Sequence, residues 1–444
     1  MRYCASRSLT PVIIAGVLAI LPWKAAHAVP SFARQTGLEC NACHTAYPEL
    51  NAFGREFKLH GYTEGGADKW YPAVAAMIQS GFTHTAKKQS PAPSDGFNEN
   101  NNVAVSQASL FYGGKIYGKL GAFSQLTYSG VDNTVSIDNT DIRYADQATI
   151  AGQEAEYGIT LNNNPTVEDP WNTLPAWGYP FASSDFLPGP AASVLLDGGL
   201  GTQVGGLGGY VHWNDMVYLQ VAGYRTLSTY TQRSLGVNPA GEDQVDGVAP
   251  YWRLAVEHSF GDHYINVGTF GLAASTFPGR NHSKGTDDRV DVGLDAQYQY
   301  NADAHDVGVY FRWIHESADY NASQPLGNAS NSSDSLDDIK LTASYLYDKT
   351  YGADLGFHSI TGGADATKYG TQTGSPDTES LTFQADWLPF NKDGGPSTWK
   401  WFNPKFVLQY TKYFQFDGRT DNIDGNGRNA GDNDTFYALM WAPL

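Results

Sequence analysis

Thiols are scarce here, with three cysteines in 444 residues. Cys4 precedes an apolar run near the start of the chain, so only Cys40 and Cys43 remain beyond it, and a disulfide framework is excluded. Methionine is nearly as rare: Met1, Met77, Met216 and Met440. After residue 28 no apolar run approaches the roughly 20 residues of a membrane-spanning helix. Basic residues are also short. The 28 Lys and Arg face 46 Asp and Glu, for a net charge of −18. That balance repels a phosphate backbone and excludes nucleic acid as a partner. It suits cations or a basic protein.

The first 28 residues read as an export signal. Arg2 and Arg7 open it, Val12 to Leu21 forms an apolar centre too short to span a bilayer, and Ala26-His27-Ala28 is a small-x-small cleavage site before Val29. An exported chain can meet the machinery that attaches haem outside the cytoplasm, and Cys40-Asn41-Ala42-Cys43-His44 is the attachment signature of c-type haem. Two thiols at this spacing reach the vinyl groups of one macrocycle, and the adjacent imidazole reaches the iron. A redox-active pair of this spacing would want a βαβ context, and a zinc site would want more thiol or imidazole ligands. The expectation is one covalent haem c on Cys40, Cys43 and His44. Met77 is expected as the second iron ligand, with His60 the main competitor and His84 a third. A short helix should follow the motif. Pro48 suits its first position, Leu50, Phe53 and Phe57 would share an apolar face over the haem, and Arg34, Arg55 and Lys58 could meet the propionates.

Aromatic residues and glycine are abundant, with 27 Tyr, 21 Phe, 11 Trp and 48 Gly. From residue 71 on, runs of about ten residues alternate in polarity. Val290, Val292, Leu294, Ala296, Tyr298 and Tyr300 share one face, opposite Asp291, Gly293, Asp295, Gln297 and Gln299. One apolar and one charged face per strand is what a barrel in lipid requires. Short turns and long polar loops take turns along the chain, giving about sixteen strands, both ends on the periplasmic side and the long loops outside. The expected fold is all-β: a transmembrane antiparallel β-barrel over residues 71–444, behind a small α-helical c-type haem segment at 29–70. Residues 131–139 are expected as one long loop. Residues 162–200, with Trp171, Trp177 and many prolines, are expected to fold into the lumen. Lys412, on an apolar face, needs a bulge or an interfacial position.

The stretch Val29 to Gly37 running into Cys40–His44, then Pro48-Glu49-Leu50-Asn51 and Phe53-Gly54-Arg55, resembles the opening of the fused outer-membrane monohaem cytochrome–porins. Asn162-Asn163-Asn164-Pro165-Thr166-Val167 with Trp171-Asn172-Thr173 and Pro175-Ala176-Trp177-Gly178 is similar to a later segment of that family. Leu444 is a departure, since such barrels commonly end in an aromatic residue. The resemblance implies one haem per chain, held by Cys40, Cys43 and His44, and its best-known members oxidise ferrous iron at the cell surface.

A hydrocarbon core is about 30 Å thick, too far for one haem to bridge from a periplasmic mouth. The haem segment is therefore expected inside the barrel lumen. Electrons would pass from extracellular Fe(II), or another external donor, to a periplasmic carrier such as a soluble cytochrome. The inward acids Asp291, Asp295 and Glu257 would concentrate cations. Outward flow through the same parts, or a solute porin with a structural haem, are the alternatives.

Overall fold

The computed structural model describes residues 30–65, 72–392 and 402–444. The export signal lies outside them. Sixteen long strands and one two-residue strand, Gln244–Val245, form a single antiparallel sheet. Each long strand pairs with the next along the chain. The sheet closes where β1 (Val74–Thr85) meets the last strand (Thr435–Pro443), in register from Met77↔Pro443 to Thr85↔Thr435. Closure leaves no edge with unpaired backbone groups, the condition for strands to cross lipid.

Period-two alternation sets which face is which. On the strand Asp287–Ala302, Val290, Val292 and Leu294 are exposed on the outside, while Asp291, Asp295, Gln297 and Gln299 are enclosed. Outward aromatics collect near the short turns, among them Tyr144, Tyr157, Tyr345, Tyr347, Tyr351 and Trp387. An apolar band edged by amphipathic rings is a lipid-facing surface; the same surface in water would drive association.

One expectation changes and another is met. Residues 131–139 are not a loop. β2 (Asn102–Tyr117) is followed by β3 (Leu120–Ser129) and β4 (Thr134–Ile150), and a tight turn joins the last two. Asn133 takes the left-handed conformation there, at φ +53°, which asparagine tolerates well. Lys412 meets both conditions set for it. The register between strands Thr378–Trp387 and Lys405–Gln415 slips at Glu379/Ser380, and the Lys412 amine reaches Asp434 at 2.7 Å, near the long-loop end.

The long loop after β5 (Gln153–Asn162) turns inward. Val167, Trp171 and Leu174 are fully enclosed, and Leu174, Val194, Leu195, Phe270, Leu272 and Ile314 form an apolar core between loop and wall. Arg253 pins it with two hydrogen bonds to Asp295, at 3.0 and 2.9 Å, and an ion pair to Asp169 of the loop at 3.4 Å. Removing one partner of such a buried pair strands the other, at a cost of about 3–5 kcal/mol.

The outward assignment has a direct check. Leu294→Arg places a charge at mid-strand on the lipid face and should destabilise the barrel by about 2–4 kcal/mol, read from denaturant unfolding in lipid vesicles. No measurable cost would mean that this face does not meet hydrocarbon.

Candidate cofactor site in the barrel lumen

Residues 30–65 sit inside the short-turn end of the barrel. Helix α1 spans Pro30–Thr36, a single tight turn covers Cys40–Ala42, and helix α2 spans Ala52–Leu59. Asn51, not Pro48, starts α2: its side chain accepts from the Gly54 N–H at 3.1 Å, capping an otherwise unpaired donor. Gly54 is required by close approach, since a Cβ there would fall 2.2 Å from the Cys43 carbonyl oxygen.

Polar groups fasten this plug to the wall and to the inward loop. Lys58 donates to the carbonyls of Val167 and Asp169 and to Asn172 Oδ1, at 2.7–2.8 Å. Arg55 donates to Gln299 Oε1 at 2.7 Å and lies 3.7 Å over the Tyr264 ring. Arg143 donates to the Lys58 carbonyl at 3.0 Å, and Tyr62 donates to Asp141 at 2.7 Å. Arg34 donates to the carbonyls of Pro72 and Val74. The three cations expected at haem propionates are thus engaged in holding the plug.

The Cys40–His44 turn opens on a cavity of about 520 Å³, within the roughly 300–1,000 Å³ usual for cofactor sites. Cys40, Cys43, His44, Phe57, Met77 and Trp177 line its apolar part; Gln79, Gln107, Gln125 and Asp138 line a polar part. Leu50 and Phe57 cover it as expected, but Gly54 and Lys58 line it where Phe53 was expected. The lining continues to Ser183 and Asp185, beside Ser184, which bonds Thr83 near the far end of β1 at 2.5 Å. Met77 and Thr83 are six residues apart on that strand, or about 20 Å at the usual rise.

The His44 ring is held in one orientation. Its Nδ1 lies 3.1 Å from the Glu49 carbonyl oxygen. Burial pulls its pKa down to about 4, so the ring is neutral at pH 7. Nδ1 then carries the proton toward the carbonyl, and the Nε2 lone pair is left for a metal. Burial, with the neighbouring Cys40, pushes the Cys43 thiol up to about 12, the opposite of an activated redox thiol. Cys40 and Cys43 are not joined to each other. Among the described residues, no three His, Cys, Asp or Glu side chains gather as a metal cluster. An amphiphilic cavity with two thiols and a neutral imidazole in one wall fits a covalent porphyrin better than a zinc ion.

The three candidates for a second ligand are separated in space. Met77 points inward, 6% exposed, among Phe57, Phe111 and Phe123. His84 is exposed on the barrel exterior and bonds Asn101 at 2.8 Å. His60 lies outside the cavity lining, with Nδ1 on Glu64 and Nε2 3.0 Å from Glu156. Sequence reasoning passed over Tyr47, whose ring lies 6.4 Å from that of His44 and 5.4 Å from that of Trp441. It also passed over Gln79, although its place two residues after Met77 on a period-two strand was legible. The inward acids are already paired: Asp295 with Arg253, and Glu257 with His212 at 2.9 Å and the Trp171 indole at 2.9 Å. The backbone N–H of Leu196 donates to Asp291 at 2.7 Å. They hold the lumen's contents, and Asp291 Oδ1 is left without a hydrogen-bond partner among the described residues.

No protein-family model matches the chain, and none of the curated proteins is similar to it in sequence. Solved outer-membrane barrels match it at low identity. The anion-selective porin of Comamonas acidovorans matches at 11% identity over 83% of this chain and 98% of that one, with a TM-score of 0.46. The outer membrane channel DcaP of Acinetobacter baumannii gives 9%, 84%, 96% and 0.46. OmpT of Vibrio cholerae gives 10%, 85%, 99% and 0.43.

The His60 contacts carry a pH dependence. Its pKa rises to about 9, chiefly through the hydrogen bond to Glu156. A raised folded value means a contribution that is complete below the unfolded value near 6.5 and lost as pH climbs through about 9. Amide exchange over residues 56–65, corrected for intrinsic base catalysis, should therefore lose protection between pH 8 and 10, and His60→Gln should abolish that step. Constant protection in the native chain would refute the contact.

Proposed function

We propose that this chain is an outer-membrane c-type cytochrome whose porin-like barrel passes electrons from an extracellular donor, in the first instance Fe(II), to a periplasmic carrier such as a soluble cytochrome. One haem would be held by thioether bonds to Cys40 and Cys43, with His44 and Met77 as the iron ligands. Bound there, the haem supplies a reversible one-electron couple. The observation that carries the reading is one lumenal cavity. It brings the two thiols, the neutral His44 ring and Met77 together, and loop residues Ser183 and Asp185 carry its lining toward the long-loop end.

The chain's own residues supply the rest. His44 is oriented through the Glu49 carbonyl. Phe57, Phe111, Phe123 and Trp177 give the cavity an apolar wall. Lys58 and Arg143 lock the plug, so its depth is fixed against the loop. The excess of acidic over basic residues attracts cations at long range. A lumen occupied by residues 30–65 and by the inward loop favours an electron conduit over a wide solute pore.

The test uses purified chain in liposomes, with Fe(II) outside and an oxidised soluble cytochrome inside. Haem absorbance should show reduction, followed by reduction of the enclosed carrier, and Cys40→Ala should abolish both. A haem that stays oxidised removes Fe(II) as donor. Reduction of external Fe(III) from a reduced interior, without the reverse reaction, establishes outward flow. A chain that carries no porphyrin after denaturation but conducts a solute across planar bilayers is a porin, and the proposal falls.

A further inference from the structure

We infer that Gln79 is a positioning residue for the Met77 thioether. The inference rests on the haem reading proposed above. Met77 and Gln79 are two residues apart on β1, so both side chains point into the lumen. Both are buried, Gln79 at 7% exposure, and both line the cavity. The Gln79 Nε2 lies 3.8 Å from Met77 Sδ and donates to it. Thioether sulfur is a weak acceptor, and a buried amide in a polar-lined lumen would ordinarily take oxygen. The other buried amides of the cavity do so: Gln125 Nε2 donates to Ser109 Oγ at 3.1 Å and Thr127 Oγ1 at 3.0 Å, and Asn172 Nδ2 donates to the Pro48 carbonyl at 3.1 Å.

Local backbone geometry supports the pairing. Gln79 pairs with Gln107, but Ser80 pairs with Val105, so β2 carries one extra residue opposite this step. Bulges of this kind re-aim side chains beside functional sites. Ser106 and Gln107 both line the cavity as a result.

The consequence for a ligand is twofold. Methionine has three rotatable bonds and no preferred direction of its own, so an N–H on one sulfur lone pair leaves the other aimed into the cavity. An N–H on the sulfur also draws electron density from whatever the sulfur ligates, which favours reduced iron and raises the potential.

The test is a redox titration of the purified haem-loaded chain, followed through haem absorbance and through the sulfur-to-iron charge-transfer band of the oxidised form. Gln79→Leu keeps side-chain volume but loses the donor. It should lower the ratio of reduced to oxidised haem at fixed solution potential about tenfold, a fall of about 59 mV for one electron, and shift or weaken the band. Gln79→Ala should move both readouts the same way. Gln125→Leu removes an equally buried amide from the same cavity and should leave the band in place. An unchanged potential and band in Gln79→Leu overturn the inference, as does an equal shift in Gln125→Leu, which would reflect cavity polarity alone. If Met77→Ala leaves the band and potential unaltered, the sulfur is not on the iron; the positioning role then falls while the haem reading stands. A native chain without porphyrin fails that reading instead.

Discussion

Lipid dictates the rest of this molecule by turning it inside out. Strands that cross hydrocarbon must present apolar side chains outward, so the lumen receives Asp, Gln, Arg and Thr by default. The proposed porphyrin would need apolar surface that such a wall does not supply. Apolar surface has to be brought in, and it arrives from three sources. The plug contributes Leu50 and Phe57, the inward loop contributes Trp177, and β1 to β3 turn Met77, Phe111 and Phe123 inward against the prevailing pattern. The cavity exists where these three meet.

The same inversion explains why the lumen is dense with ion pairs. Arg253 with Asp295 and Asp169, Arg143 with Asp141, and Arg289 with Glu316 are charged groups enclosed by protein. Pairs of this sort add little net stability compared with apolar packing, but losing one member is costly. Their value lies in register. Lys58 takes three loop acceptors at once, so the plug and the loop 163–203 fix one another's position.

How much of this was legible follows from the range of each interaction. Alternation along Asp287–Ala302 was readable because lipid imposes period two on every crossing strand. That Cys40, Cys43 and His44 share one wall was readable because they lie within five residues. Residues 131–139 misled because Asp132 and Asn133 signal a turn, while the polar run after them is a strand facing a polar lumen. Asn51 was a stronger start for α2 than Pro48, since its side chain satisfies a backbone donor of the first turn. Gly54 gave no hint of lining a cavity until the Cys43 carbonyl was seen against it. The partners of Arg55, Lys58 and the inward acids were beyond sequence reasoning. These contacts join residues 42 to 244 positions apart, and alternation fixes only the face on which a side chain lies, never the side chain it will meet.

Depth is the remaining constraint, and it connects the plug's fastening to electron passage. A cofactor at the periplasmic mouth would leave most of a 30 Å core uncrossed. The cavity's lining instead runs from Met77, near the short turns, to Ser183 and Asp185, beside Thr83 near the long-loop end of the same strand. Loop residues therefore form the upper wall of the space whose lower wall carries Cys40, Cys43 and His44. One covalently held group between those walls would need short transfers at each end, where a group held at the mouth would need one long transfer. If electrons pass as proposed, the bonds that seat the plug would also set the transfer distance, so the grip of Lys58, Arg55 and Tyr62 on the barrel would serve that path as well as the fold.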